Sequence, residues 1–245
     1  MLLAEVAEEV ELQTKVPTCP NWTIKDLLWH TGAVHRWTKA IVEEKRMERP
    51  SSDDLAGIVG PIPDDALLVE WYRESLAQLV RALTAATRDL DCWYFLPAPS
   101  ALHFWARRQA HETAIHRVDA ESARGDEVSP VGSTFAADGI DELVVGFHSL
   151  PFSRVRSATN RVLRLRATDD TGAGTGTDWY LHISPDPLRT TRAPSGQVDC
   201  TLSGPVELLY LALWNRCRID DLTVDGDATL VKLWQEFSAI TWFYD

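Results

Sequence analysis

The chain has 245 residues, 45% of them hydrophobic, which is enough to bury the cores of two domains of ordinary size. Its formal net charge of −12 repels phosphate groups, and its lysines and arginines are scattered, so the sequence excludes an electrostatic surface for nucleic acid or anionic lipid. No apolar run approaches the roughly 20 residues of a membrane-spanning helix, and the acidic N-terminus lacks the basic start of a signal peptide, so we expect a cytoplasmic protein that binds small molecules and no membrane.

The first half of the chain has the periodicity of helices. Thr23 and Asp26 form an approximate capping box, which predicts a helix that begins there and ends before Pro50. Residues 51–63 are rich in Ser, Asp, Gly and Pro and are predicted to form a loop. A second helix follows from about residue 64, a third spans roughly 101–123, and a fourth lies around 134–148. With the short acidic N-terminal segment, these helices predict a bundle.

The pattern changes after Pro151. The runs RVLRLRAT and DWYLHIS are typical of strands, and the Gly- and Asp-rich segment between them favours a hairpin. A further strand near residues 198–202, a helix over ELLYLALWNR and a final helix through Trp234 and Phe237 complete the second half. We therefore predict an α+β protein, with a helical bundle over residues 1–152 and a small α/β domain over residues 153–245.

The third helix carries polar residues where a buried stripe should be apolar. The residues within roughly 40° of one direction are Trp105, Gln109, Glu112, His116 and Asp119, whereas His111 points more than about 90° away. Burying a carboxylate and an imidazole without partners costs several kcal/mol, so such a stripe requires a hydrogen-bond network or a metal ion. The segment HETAIH is not a zincin motif, because its histidines are five apart and cannot bind one ion from the same helical face.

The same geometry on the first helix places His30 on the inward stripe and His35 roughly 140° round the helix from it. His30, Glu112 and His116 would then supply three N and O ligands from two helices. Such a set, with a position left for water or substrate, is typical of a catalytic zinc site. The alternative is that His30 is an ordinary core histidine and that Glu112 and His116 only pair with each other.

Two of these stretches, VPTCPNWTIKDLLWHTGAVHRW and FWARRQAHETAIHRVDAE, resemble the signature segments of the mycothiol-dependent maleylpyruvate isomerase family, and ADGIDEL resembles a third. The resemblance implies a DinB-like four-helix N-terminal domain that holds a divalent metal, normally zinc. The residues at the positions of the family's metal ligands are His30, Glu112 and His116, which the resemblance therefore implies as the ligands in this chain. Asn21 departs from the family pattern, which has glycine there, and Thr31 stands for a usual leucine.

The second half resembles the smaller α/β C-terminal domain of the family through the segment SGPVELLYLALWNR. The resemblance implies a catalytic arginine in that helix, for which Arg216 is the match and Arg218 the next candidate. It also implies mycothiol or a similar thiol as cosubstrate, activated at the metal and added to an electrophilic substrate.

Other charged residues have less defined roles. Arg107, Arg108 and Arg117 could attract a substrate carboxylate or could pair with nearby acids. Asp138 and Asp141 could accept a hydrogen bond from a metal-bound histidine, or could serve only as helix caps or solvated surface groups.

Three functions remain open from the sequence. The first is a metal-dependent enzyme, an isomerase or thiol S-transferase that uses mycothiol. The second is a non-catalytic, metal-stabilised module that binds a ligand or partner. The third is a hydrolase that uses metal-bound water, although no oxyanion-hole motif accompanies it. The sequence leaves the substrate, the thiol and the oligomeric state open.

Overall fold

The computed structural model describes residues 2–125, 127–170, 177–194 and 196–240. By their contacts the residues divide into two compact units, residues 1–129 and residues 130–245. The first unit is helical, and the second combines helices with a mixed sheet. The predicted α+β class is therefore confirmed. None of the helices in the described part of the chain has both the length and the apolar character needed to cross a bilayer.

The first unit contains five helices among its described residues. The helices α1, α2, α4 and α5 pack against one another, and α3 packs on α2. Their bounds are Leu2–Glu9 (α1), Ile24–Glu43 (α2), Ser52–Val59 (α3), Asp65–Ala85 (α4) and Ala101–Arg124 (α5).

The two long helices that carry the polar stripe begin at well-formed caps. Thr23 and Asp26 form a reciprocal capping box at the start of α2, as predicted. The Ser100 hydroxyl accepts a hydrogen bond from the amide of His103 at the start of α5, and Gly125 ends that helix in the left-handed conformation. These caps set where each helix begins and therefore which residues of α2 and α5 point inward.

The loop predicted over residues 51–63 is wrong in part, because α3 lies within it. Ser51 and Asp54 form a second capping box, in which each side chain bonds to the backbone of the other residue. The cap stabilises a helix that composition alone does not favour. The helix is short and largely exposed, so it lacks the periodic apolar pattern on which the prediction depended.

Helix α2 contacts α4 more extensively than any other element. Gly32 of α2 makes this possible, because a Cβ atom there would come within 2.2 Å of the Trp71 ring on α4. The Trp71 ring also stacks under the guanidinium of Arg36, with 4.6 Å from Arg36 Cζ to the ring centroid. Helix α2 therefore packs closely on α4, and it also contacts α5.

The second unit begins with α6, Ser133–Asp141, which continues through a π-helical turn, Glu142–Gly146, and a 3₁₀ turn, Phe147–Ser149. Residues 130–152 are predicted from the sequence to belong to the first domain, but their contacts group them with the second unit, where α6 packs on α7, Val206–Leu213. The predicted domain ranges, 1–152 and 153–245, stay a prediction.

The sheet of the second unit has the strand order β3-β2-β1-β4-β5. Strands β1 and β4 are parallel, and the other neighbours are antiparallel. The pairing of β1 with β2 agrees with the predicted hairpin, although residues 171–176 between them lie outside the described residues. Helices α7 and α8, Thr229–Phe237, pack on the sheet. The strands are Arg161–Ala167, Asp178–Ile183, Arg189–Thr191, Cys200–Gly204 and Thr223–Gly226.

A buried histidine makes the stability of the second unit sensitive to acid. His148 Nδ1 lies 2.9 Å from Ser153 Oγ, and the His148 ring packs on Trp234. Burial lowers the pKa of His148 to about 4, and the nearby Arg156 adds to the effect, while a backbone hydrogen bond at Ser238 opposes it. The neutral ring is therefore the form that fits the folded chain.

We expect the free energy of unfolding to fall by about 2 kcal/mol between pH 7 and pH 5 because of this group. The contribution is complete above the unfolded pKa, about 6.5, and is lost as the pH falls towards 4. Urea titrations followed by tryptophan fluorescence measure it. His148→Asn keeps an acceptor or donor at the position of Nδ1 but does not titrate, so its pH dependence should be weaker by that amount; an unchanged dependence would contradict the assignment.

Candidate metal centre

The three predicted metal ligands lie together inside the first unit. His30 is on α2, two turns after the capped start of that helix, and Glu112 and His116 are one turn apart on α5. All three are buried, with exposed fractions of 6%, 5% and 7%. The inward stripe predicted from helical geometry is therefore present on both helices.

The donor atoms of these residues have the spacing of ligands around one ion. Glu112 Oε1 lies 3.2 Å from His116 Nε2 and 3.4 Å from His30 Nε2. One ligand atom from each residue can be chosen so that all three lie within 4.8 Å of one another. Ligands at about 2.0–2.1 Å from a tetrahedral zinc are roughly 3.3 Å apart, so the two measured distances match the edge of such a tetrahedron.

The carboxylate of Glu112 is held in its charged form. Burial alone would raise the pKa of Glu112, but the hydrogen bonds from His116 and His30 and the charge of Arg108 outweigh it and keep the pKa well below the ordinary value. Arg108 Nη2 donates to Glu112 Oε2 over 2.9 Å. The carboxylate thus has one oxygen towards the histidines and the other towards the guanidinium.

Asp119 fixes the orientation of His116. Its Oδ2 lies 2.9 Å from His116 Nδ1, and its Oδ1 accepts a hydrogen bond from Thr18 Oγ1 over 2.6 Å. Asp119 is fully buried. When the His116 ring is neutral and donates Nδ1–H to this carboxylate, its Nε2 has a lone pair for a metal ion, which is the common arrangement around metal-bound histidines.

Trp22 covers the two histidines. Its ring centroid lies 4.6 Å from that of His30 and 5.7 Å from that of His116, and the two histidine rings meet edge to face. Trp22 stands directly before the Thr23 cap of α2. The indole excludes water from this side of the donor atoms, which strengthens electrostatic interactions among them.

Comparisons with known proteins bear on the identity of this site. The chain matches the family model described as the mycothiol maleylpyruvate isomerase N-terminal domain over residues 1–121, and the model of the corresponding C-terminal domain over residues 134–233. The chain belongs to the mycothiol maleylpyruvate isomerase family. The resemblance found in the sequence is therefore confirmed.

Two solved structures share the fold of this family member. A crystal structure of the mycothiol-dependent maleylpyruvate isomerase has 15% sequence identity and a TM-score of 0.53, and a variant of that enzyme with one histidine replaced by alanine has 15% identity and a TM-score of 0.56. Each alignment covers 92% of this chain and 88% of the other. None of the curated proteins matches this chain significantly in sequence.

Two other histidines are placed differently from the prediction. His35 and His111 were expected to point away from the buried stripe, but both are buried, at 0% and 1% exposure. Pointing away from the stripe does not expose them, because a helix inside a bundle is covered on more than one side: α2 contacts α1, α3, α4 and α5, and α5 contacts α1, α2 and α4. His35 Nε2 bonds to Thr113 Oγ1, and burial lowers its pKa to about 3, so His35 remains a neutral core histidine.

Asp141 of ADGIDEL bonds to partners other than a metal-site histidine. Asp141 accepts hydrogen bonds from Trp179 Nε1 and from Arg192 within the second unit. The carboxylate that bonds to His116 is that of Asp119 instead. Helical geometry places Asp119 on the inward stripe but does not by itself assign it a role. Its spacing of three residues from His116 is the signal that could have identified it.

Arg107 is partly exposed on α5, and the other four candidate arginines separate into three groups. Arg108 is buried against Glu112, and Arg117 lies 3.7 Å from Glu121, so both pair with acids on their own helix. Arg216 belongs to the second unit and follows the end of α7, because Asn215 has a positive φ and terminates the helix. Arg218 is exposed and pairs with Asp220. A catalytic role for Arg216 stays a prediction.

The chemistry of the donor set fits a divalent metal. Two imidazole nitrogens and one carboxylate oxygen from two helices form a mixed N and O set of the kind found in zinc enzymes. The set has three protein ligands, which leaves a coordination position for a substrate or cosubstrate atom. A buried carboxylate on one histidine and an aromatic cover complete the surroundings that such a centre needs.

Proposed function

We propose that this chain is a metal-dependent enzyme that activates a low-molecular-weight thiol, mycothiol, for reaction with an electrophilic small molecule. The reaction is of the isomerase or S-transferase type, and the metal is zinc. The observation that carries the proposal is the buried trio of His30, Glu112 and His116, whose donor atoms have the spacing of ligands to one ion. The family supports the thiol, since its name and that of the similar crystal structures refer to mycothiol.

Each residue of the centre has a defined task. His30, Glu112 and His116 would hold the ion, which when bound supplies a Lewis acid that lowers the pKa of a thiol and makes thiolate available at neutral pH. Asp119 keeps Nε2 of His116 directed towards the ion. Trp22 shields the histidines from water on one side.

The proposed chemistry conserves the thiol in one version and consumes it in the other. In an isomerase, the thiol proton leaves to solvent, sulfur forms a bond to one alkene carbon, and the π electrons move to a conjugated carbonyl oxygen. Rotation about the resulting single bond precedes loss of the thiolate, which restores the double bond. In an S-transferase, sulfur displaces a leaving group that departs with its bonding electron pair.

Elemental analysis tests the centre directly. Protein purified without a metal-chelating tag should contain about one equivalent of a divalent metal per chain, since the described residues offer one trio of ligands. The variants Glu112→Ala and His116→Ala should contain little, because the two remaining protein ligands would hold an ion much more weakly than three.

His103→Ala is the matched control, because His103 lies on the same helix and is exposed. It should keep the metal content of the parent. A parent that contains no metal even after incubation with zinc would contradict the proposal, and so would variants that retain the full equivalent.

A further inference from the structure

The two oxygens of Glu112 face different partners. Oε1 lies between His30 Nε2 and His116 Nε2, at 3.4 and 3.2 Å, while Oε2 accepts the hydrogen bond from Arg108 Nη2 at 2.9 Å. Arg108 is only 2% exposed, so this contact is made away from water. A carboxylate engaged in this way has one oxygen for an ion and one for a fixed cation.

We propose that Arg108 is a positioning residue that keeps Glu112 monodentate and gives the loaded centre a net charge that selects one monoanionic ligand, a thiolate. The inference rests on the proposed metal function and deepens it. It assigns to Arg108 a role other than the attraction of a substrate carboxylate.

The charge of the cluster follows from its ionic side chains. Glu112 and Asp119 are negative, Arg108 is positive, and the two histidines are neutral when they bind an ion through Nε2. With both histidines neutral as ligands, these five side chains together contribute about −1 to the charge of the loaded centre. A divalent ion changes the sign of the charge, and one bound thiolate then brings it to zero. A buried centre is most stable when its charges cancel, so the loaded centre favours a monoanion over neutral water.

The binding of the ion by only one oxygen of Glu112 also favours a thiolate ligand. If Oε2 were not engaged by Arg108, it could turn towards the ion and occupy the coordination position that a thiolate needs. By holding Oε2, Arg108 keeps that coordination position open, and its positive charge favours an anionic ligand there.

The variant Arg108→Met removes the charge and the donor while keeping an unbranched side chain. We expect the loaded variant to bind thiolate between about 10- and 100-fold more weakly, the upper value being that of one unit charge roughly 6 Å away at an effective dielectric of about 20. Its affinity for the metal itself should not fall, since the ligand cluster becomes more negative. If Arg108 only supported the fold, its replacement would instead lower the affinity for the metal.

The affinity for the metal and the affinity for thiolate can both be measured with cobalt and a simple thiol. Full-length protein is loaded with Co²⁺, whose affinity is determined by competition with a chelator, and titrated with 2-mercaptoethanol while the sulfur-to-cobalt charge-transfer absorption is recorded. Arg108→Gln keeps a hydrogen-bond donor for Oε2 without a charge, and it serves as a second neutral variant in case the Met variant misfolds. Arg108→Lys keeps the charge, and its thiol affinity should stay within about threefold of that of the parent, because point charges at similar distances interact similarly.

The control is Arg107→Met, which removes the same charge from the neighbouring, partly exposed position. It should leave thiol binding within about threefold, since solvent screens that site. Equal thiol affinities in the parent and both neutral Arg108 variants would overturn the inference, as would a loss of cobalt affinity in those variants. A parent that takes up no cobalt would instead contradict the proposed function itself.

Discussion

His30→Ala is expected to lower the rate of thiol-dependent turnover at pH 7 by at least about 30-fold. A free thiol with a pKa near 8.5 is only about 3% ionised at that pH, so loss of metal activation alone removes a factor of this size. Loss of the position that holds the sulfur adds to it. His30 supplies the one ligand from α2, so its removal leaves only Glu112 and His116 of α5 to hold the ion.

The measurement should separate catalysis from stability. Turnover with mycothiol and a panel of electrophiles is followed both as thiol consumption and as cis–trans isomerisation, beside thermal unfolding. We expect the melting temperature to fall by only a few degrees, since removing one buried side chain with a long hydrogen bond costs about 1–2 kcal/mol.

His111→Ala is the control, because His111 is equally buried in the same unit but is not a member of the trio. It should lose stability and keep its activity per folded chain. A parent without activity whose His30 variant unfolds far more easily would instead favour the alternative, a metal-stabilised binding module.

The sequence predicted that His30, Glu112 and His116 lie together because helical geometry is local. Spacing of four residues places Glu112 and His116 on one face of α5, and the Thr23 cap fixes the start of α2 and so the direction of His30. The family resemblance then connected the two helices, which no spacing within one helix can do.

Contacts between distant residues could not be predicted in the same way. Thr18 and Asp119 are 101 residues apart in the chain yet share a hydrogen bond, and Trp22 stacks on His116 from outside any regular element. His35 shows the reverse limit, since one inward direction per helix does not describe a helix with neighbours on several sides. Periodicity reports the most apolar face, while burial depends on how many elements pack around it.

The grouping of residues 130–152 has a similar cause. Their apolar periodicity predicts a helix, and α6 is present, but periodicity does not say which partner the apolar face meets. In the structure that partner includes α7, from a segment some 70 residues later in the chain. A helix that leads into a π-helical turn and then a 3₁₀ turn also departs from regular spacing over its last residues.

Asp119→Asn is expected to weaken metal binding by about 10- to 100-fold, the usual cost of losing a carboxylate partner of a metal-bound histidine. The substitution keeps the size of the side chain but removes its charge, so the imidazole of His116 becomes a poorer donor. If the amide nitrogen faces Nδ1, the ring must carry its proton on Nε2, and that nitrogen cannot bind an ion at all. The affinity is measured by chelator competition with Zn²⁺ or Co²⁺.

The matched control is Asp141→Asn, which changes the other aspartate considered as a histidine partner. Its contacts with Trp179 and Arg192 lie in the second unit, so metal affinity should not change. Equal affinity in the parent and Asp119→Asn would show that His116 binds without help from this carboxylate. A loss in both variants would mean that the two aspartates act through folding rather than through His116, because only Asp119 touches that ring among the contacts described for the pair.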